Sequence, residues 1–349
     1  MNIVNPFNIT FGKEPTNKIN REIELDEIVN TFSNENPSSE VYILTGPRGS
    51  GKTVAMTSLS DYYASKKDFI VVDLNPEMEL LEQLASKLYD RGKVKKLFVK
   101  TEFNFSFHGV SLSINGDFPL VNVSTLLDKI FTYLKSKKYK VLITIDEVVS
   151  NQYMKIFAHE FQRFMRQNYD VLLLMTGLYE NISNLENEKS LTFLYRAPKI
   201  QLNSLSIKKI TTSYQNVFGI DYNDALNLAK MTKGYAFAYQ LLGYILFKSN
   251  KTKVDQDVLD EFDDLLENRV YAKIWESLSK KEKEIMHAVS IGKDTNQEIM
   301  SEVGIKSNAL AVYKKKLEMK GLISTKERGL IISLLPRFLN FIKFYEELE

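Results

Sequence analysis

Eight consecutive residues, Gly46-Pro47-Arg48-Gly49-Ser50-Gly51-Lys52-Thr53, set three glycines ahead of a lysine and a hydroxyl. The spacing is G-x-x-x-x-G-K-[ST], and it suits the holding of a phosphate chain. Without Cβ atoms the backbone can curl close to an anion, so that successive N–H groups and a helix N-terminus point at it. Lys52 can then reach the β- and γ-phosphates, and the Thr53 hydroxyl suits Mg²⁺. Val54 opens the helix that must carry this loop. ATP and Mg²⁺ are therefore the expected ligands.

A second group lies at Lys140-Val141-Leu142-Ile143-Thr144-Ile145-Asp146-Glu147, an apolar run ending in two carboxylates. Beside a phosphate loop this is the Walker B pattern. Asp146 is the candidate for Mg²⁺, directly or through water. Glu147 is the candidate general base for an attacking water. A third run, Val171-Leu172-Leu173-Leu174-Met175-Thr176-Gly177, ends in a hydroxyl. Thr176 fits either a sensor of the γ-phosphate or a plain strand-end turn residue. Arg196, in Leu194-Tyr195-Arg196-Ala197-Pro198, has two readings as well: an arginine finger offered to a second copy of the chain, or a surface residue at a helix end.

These groups need elements to hold them. Runs rich in Val, Ile and Leu at Val41–Thr45, Phe69–Leu74, Lys140–Ile145, Val171–Thr176 and Lys199–Leu202 alternate with helical patterns. They read as buried parallel strands, giving an α/β sheet covered on both faces. Asn20 to Phe32 reads as a helix with Ile23, Ile28 and Val29 inward. Residues 99–116 break the rhythm. Their aromatic–polar alternation on either side of His108-Gly109 predicts an inserted β-hairpin, serving as an edge cover or a partner contact. After Asn203 the strands stop, and Ile207–Asn216, Asp221–Met231, Ala236–Lys248 and Asp255–Leu266 read as helices.

The last eighty residues open with Ser279-Lys280-Lys281-Glu282 and Thr295-Asn296-Gln297-Glu298, two capping boxes. A third helix, Asn308 to Lys320, stops at Gly321, and two short β runs flank Lys326-Glu327-Arg328-Gly329. This is the plan of a winged helix-turn-helix, whose third helix enters the DNA major groove. Leu310, Tyr313 and Leu317 form its apolar face. Lys306, Asn308 and Lys315 lie elsewhere on it and could meet base edges and phosphates. Lys326 and Arg328 sit at the wing tip.

The chain resembles P-loop ATPases of the AAA+ and STAND branches, most closely the archaeal-type ATPases related to the Orc/Cdc6 initiators. Lys18-Ile19-Asn20-Arg21-Glu22-Ile23-Glu24 follows the h-h-G-R-E-x-E opening of STAND proteins with Asn20 in place of glycine. The resemblance puts Ile19 and Arg21 against the adenine. Lys233-Gly234-Tyr235-Ala236 resembles the family's G-x-P motif in a helical lid, with Ala236 in place of proline, which makes Gly234 a nucleotide-site candidate. The absence of an arginine just after Gly234 points to the STAND side. The resemblance implies an ATPase core over residues 1–203, a lid over 204–268 and a winged helix over 269–349. It also implies a nucleotide-controlled switch acting on double-stranded DNA, or a signalling scaffold whose winged helix binds protein.

Composition bounds these readings. The 349 residues are 44% hydrophobic and 26% charged, with a net charge of +2, as in a globular protein of two or three domains. Residues 270–349 hold 14 Lys and Arg against 11 Asp and Glu, a mild basic bias that permits nucleic-acid binding. No cysteine is present, which excludes disulfides and thiolate sites and fits a cytoplasmic location. The N-terminal residues lack the pattern of a signal peptide. The longest apolar run, Ala236 to Phe247, is broken by Tyr239, Gln240 and Gly243, so no membrane span is expected. His108, His159 and His287 lack metal spacing.

Overall fold

The computed structural model describes residues 4–10, 15–91, 94, 104–107, 110–113, 122–188, 191–327 and 329–347. They form two compact units. One comprises Glu22–Thr45 and Ala55–Ile200; the other comprises Met1–Arg21, Gly46–Val54 and Gln201–Glu349.

The first unit is the α/β body. Its sheet contains β1 (Val41–Thr45), β2 (Phe69–Leu74), β5 (Lys140–Ile145), β6 (Val171–Thr176) and β7 (Lys199–Gln201), in the order β2-β5-β6-β1-β7. The pairs β2–β5, β5–β6 and β6–β1 are parallel. All residues of β1 and β6 are buried, as expected where helices cover both faces of a parallel sheet. The covering helices carry apolar stripes. In α4 (Val123–Ser136) the stripe is Leu126, Leu127, Ile130, Phe131 and Leu134; in α5 (Gln152–Arg166) it includes Phe157, Phe161 and Phe164. Asn122 and Asn151 cap these two helices through side-chain oxygens that accept from Ser124 and Met154 N–H. The expected α/β architecture is therefore present.

One expectation for this unit changes, and another is met. Helix α1 spans Glu22–Ser33 and buries Ile28 and Phe32, but Ile23 is 85% exposed. Ile23 is five residues from Ile28, well over a quarter-turn from the buried stripe on a 3.6-residue helix. The expected hairpin is formed by β3 (Asn104–Phe107) and β4 (Val110–Ser113), antiparallel with Phe105 opposite Leu112. It makes a separate two-stranded sheet, so among the described residues it does not extend the main sheet. His108-Gly109 and residues 99–103 and 114–116 lie outside the described residues.

The second unit is mostly helical: α8 (Ile207–Phe218), α9 (Tyr222–Met231), α10 (Ala236–Ser249), α11 (Gln256–Leu266), α12 (Ala272–Glu276), α13 (Lys280–Ser290), α14 (Asn296–Val303), α15 (Ser307–Met319) and α16 (Phe338–Glu347). A π turn, Glu267–Tyr271, joins α11 to α12 without a break. Between α15 and α16, β8 (Ile323–Ser324) pairs antiparallel with β9 (Ile332–Ser333). Both capping boxes form with their reciprocal bonds, and Gly304 ends α14 in the left-handed region. One apolar core runs through all of these helices, from Phe7 through Tyr239 and Tyr271 to Ile342. Phe7 occupies the space where Gly243 lacks a Cβ: a Cβ there would lie 2.5 Å from its ring. Among the described residues no helix is long and apolar enough to cross a membrane.

Lys320 at the end of α15 pairs with Glu282 in α13 at 3.0 Å, with side-chain exposures of only 10% and 4%. Burial raises the Glu282 pKa, but hydrogen bonds from Ser279 and Lys320 outweigh it and hold the carboxyl below its usual 4.5. A lowered folded-state pKa gives stability that is full above the unfolded value and lost as pH falls through the folded one. Glu282→Ala removes the carboxylate facing a largely buried ammonium and should cost about 3 kcal/mol. Thermal melts across the acidic range check both points; a variant that melts with wild type at neutral pH would refute the pairing argument.

Candidate functional site

The phosphate loop leaves the end of β1 and enters α2 (Lys52–Ala64). It has the conformation its glycines allow: φ is +148° at Gly46, +72° at Gly49 and +91° at Gly51. Lys52, 8% exposed, folds back over the loop. Its Nζ donates to the carbonyls of Gly46 at 3.0 Å and Pro47 at 2.9 Å. Ser50 N–H closes a turn onto Pro47 O at 3.2 Å. The Ser50 hydroxyl is buried without a hydrogen-bond partner, a polar atom that an incoming phosphate oxygen suits.

Three successive loop carbonyls are held from one side. The Tyr235 hydroxyl donates to Arg48 O, Phe237 N–H donates to Gly49 O at 3.0 Å, and Arg21 Nη2 donates to Ser50 O at 2.9 Å. Arg21 Nη1 also donates to Asn203 O at 2.7 Å. Arg21 is thus engaged with the loop backbone, while Ile19 packs against the apolar core. Tyr235 is buried, which pushes its phenol pKa far up and keeps it a donor. Gly234, at φ +75°, lies where a Cβ would come within 2.5 Å of Leu205 O, and its own carbonyl accepts from Leu205 N–H.

In the α/β unit, β6 lies between β5 and β1, with Thr176 opposite Leu44 and Met175 opposite Ile145. The strand ends bring Asp146, Glu147 and Thr176 together. The fully buried Thr176 hydroxyl donates to Asp146 Oδ1. Glu147 N–H is shared between Thr176 Oγ1 and Asp146 Oδ1, each at 3.1 Å. Glu147 sits at φ +50° with an exposed side chain. Val148 N–H then donates to Thr176 O at 2.9 Å. The acidic turn is thus locked to the neighbouring strand, while the Glu147 carboxylate extends into solvent.

Arg196 is exposed in the last turn of α7 (Thr192–Arg196), beside Tyr195, which is 72% exposed. On α15, Lys306, Asn308 and Lys315 are exposed, as is Lys326 after β8; Arg328 lies outside the described residues. Leu310 and Leu317 are buried, so the helix presents the expected face outward. The turn after α15 meets the phosphate loop, where a Cβ on Gly321 would lie 2.6 Å from Pro47 Cδ. Apart from the loop, Gln201 Nε2 donates to Glu318 O at 3.0 Å. Sequence reasoning gave no role to Tyr235 or Gly321. An aromatic at a helix start reads as core, and a glycine after a helix reads as a cap.

Residues 19–171 match the model of an ATPase domain predominantly from Archaea, and residues 268–342 match a domain of unknown function (DUF8462). No curated protein matches the chain. Among solved structures, the Walker-type ATPase PABY2304 of Pyrococcus abyssi is similar at 13% identity, covering 93% of this chain and 96% of that one, with a TM-score of 0.65. The ORC2 protein of Aeropyrum pernix, in its ADPNP–ADP complexes, follows at 12% identity, 94% and 93% coverage and TM-score 0.53. Cdc6p of Pyrobaculum aerophilum gives 14%, 98% of each chain and 0.50. The fold is that of the Orc/Cdc6-like P-loop ATPases, and the chain carries an ATP-hydrolysing domain.

Thr176→Val keeps the shape and removes both hydroxyl bonds. It should lower the stability of the α/β unit by about 1–3 kcal/mol, the cost of leaving buried polar groups unpaired. Chemical denaturation followed in that unit tests this; an unchanged midpoint would mean that water replaces the hydroxyl.

Proposed function

We propose that this chain, with its P-loop ATPase domain, is a switch in which bound ATP governs DNA binding by the helices and hairpin of residues 280–333, acting as a winged helix. The observation that carries the reading is the contact of the turn after α15 with the phosphate loop, Gly321 against Pro47. The loop that would hold the phosphates thus touches the turn that ends the helix that would read DNA.

The site residues divide the work by chemistry. The loop, residues 46–54, cradles the phosphates, with Lys52 supplying positive charge. Thr53 and Asp146 would hold Mg²⁺, an ion commonly bound by one or two side-chain oxygens together with substrate phosphates. When bound, it would neutralise phosphate charge. Glu147 orients a water and takes its proton. Thr176, bonded to Asp146 Oδ1 and Glu147 N–H, keeps the acidic turn in register and serves as the sensor. Ile19, Arg21 and Gly234 border the nucleotide site, Arg21 through its hold on the loop. Arg196, exposed, is available to the nucleotide of a second copy. Lys306, Asn308, Lys315, Lys326 and Arg328 face DNA.

Lys52→Ala is expected to abolish ATP binding. Glu147→Gln should keep binding and lower turnover about 100-fold or more, as loss of a general base does. Calorimetry and a phosphate-release assay separate the two, and unchanged turnover in Glu147→Gln would remove Glu147 from the role. For DNA, a gel shift that weakens with salt and with Lys315→Ala and Lys326→Ala is expected. No shift at low salt with any duplex would favour a protein partner for α15, where Val312 is 55% exposed.

A further inference from the structure

We propose that Tyr235 is a positioning residue for the triphosphate, acting by fixing the orientation of the loop's peptide planes. The inference rests on the reading of residues 46–54 as the ATP site. In a trans peptide the carbonyl of one residue and the N–H of the next point in opposite directions, and the described chain has no cis bond. Holding the carbonyls of Arg48, Gly49 and Ser50 therefore fixes the N–H groups of Gly49, Ser50 and Gly51. Ser50 N–H is spent within the loop, on Pro47 O. The N–H groups of Gly49 and Gly51 are therefore turned away from the donors, as a backbone that cradles an anion requires.

The donors come from well-anchored places. Tyr235 and Phe237 stand at the start of α10, a helix whose residues from Phe237 to Gly243 are all buried. Tyr235 is itself 4% exposed. Arg21 is braced by its second bond, to Asn203 O. The approach is close enough to demand the glycine: a Cβ on Gly49 would lie 2.3 Å from the Tyr235 oxygen and 2.9 Å from Phe237 Cβ. Gly49 therefore answers two requirements, one from the phosphate side and one from Tyr235. Because the pinned loop is made before ATP arrives, the hydroxyl lowers the ordering cost of binding. It acts alike on the ground state and the transition state, so its removal raises KM and leaves kcat near wild type.

The test is Tyr235→Phe, which keeps the ring and removes the donor. ATP binding by calorimetry should weaken about three- to tenfold, the range of one lost neutral hydrogen bond. KM should rise by a similar factor at nearly constant kcat. The melting temperature without nucleotide should stay near wild type, whereas the increase caused by saturating ATP should shrink. Wild-type affinity and KM in Tyr235→Phe would overturn the proposal, as would an unchanged KM with a reduced kcat. If wild type itself gains no thermal stability from ATP, the ATP-site reading falls instead. Should Tyr235→Phe fail to fold, Arg21→Lys, which loses the reach to Ser50 O, serves as the second variant with the same expected KM-selective effect.

Discussion

The fixed orientation of three peptide planes, Arg48 to Ser50, is the constraint on which the nucleotide site depends. A glycine-rich loop has many conformations open to it, and glycine loses more freedom on ordering than any other residue. Left alone, such a loop would have to be ordered by its ligand. Here Arg21, Tyr235 and Phe237 order it from the protein side, and Lys52 closes it from within through Gly46 O and Pro47 O. The loop is covalently part of the α/β chain path, yet it groups with the helical unit. Two of the residues that set its shape, Tyr235 and Phe237, lie more than 180 positions away in sequence.

The acidic turn is organised on the same logic with different parts. Asp146 and Glu147 could adopt several turns after a buried strand. One threonine on the next strand accepts from one residue and donates to the other. Glu147 is held at positive φ, a conformation uncommon for a non-glycine residue, and such strain is retained where the surroundings over-determine it. The Glu147 side chain is exposed, and the Thr176 hydroxyl that holds its backbone is buried.

Much of this was legible from residue types. The loop's glycines, Lys52 and Thr53 announce themselves because few sequences satisfy that spacing, and Val41–Thr45 and Lys140–Ile145 are apolar on both faces as buried strands must be. The capping boxes at Ser279 and Thr295 were readable because both halves lie within four residues. Tyr235 was not, because its importance lies in one hydroxyl meeting a carbonyl 187 positions earlier, and nothing local distinguishes it from Tyr239 in the core. Ile23 misled because hydrophobicity alone does not say which side of a helix is inward. The closing helix Phe338–Glu347 escaped notice since its apolar residues follow directly on a β run.

The apolar core that runs unbroken from Phe7 to Ile342 has a consequence for how such a chain can change over generations. Across residue 270, Arg337 clasps Asp263. Recombination that exchanged the last eighty residues for another module would cut through a continuous apolar core rather than through a linker. Point changes on the exposed face of α15, by contrast, leave that core untouched. The inner face of α15, and Gly321 against Pro47, are tied into the packing.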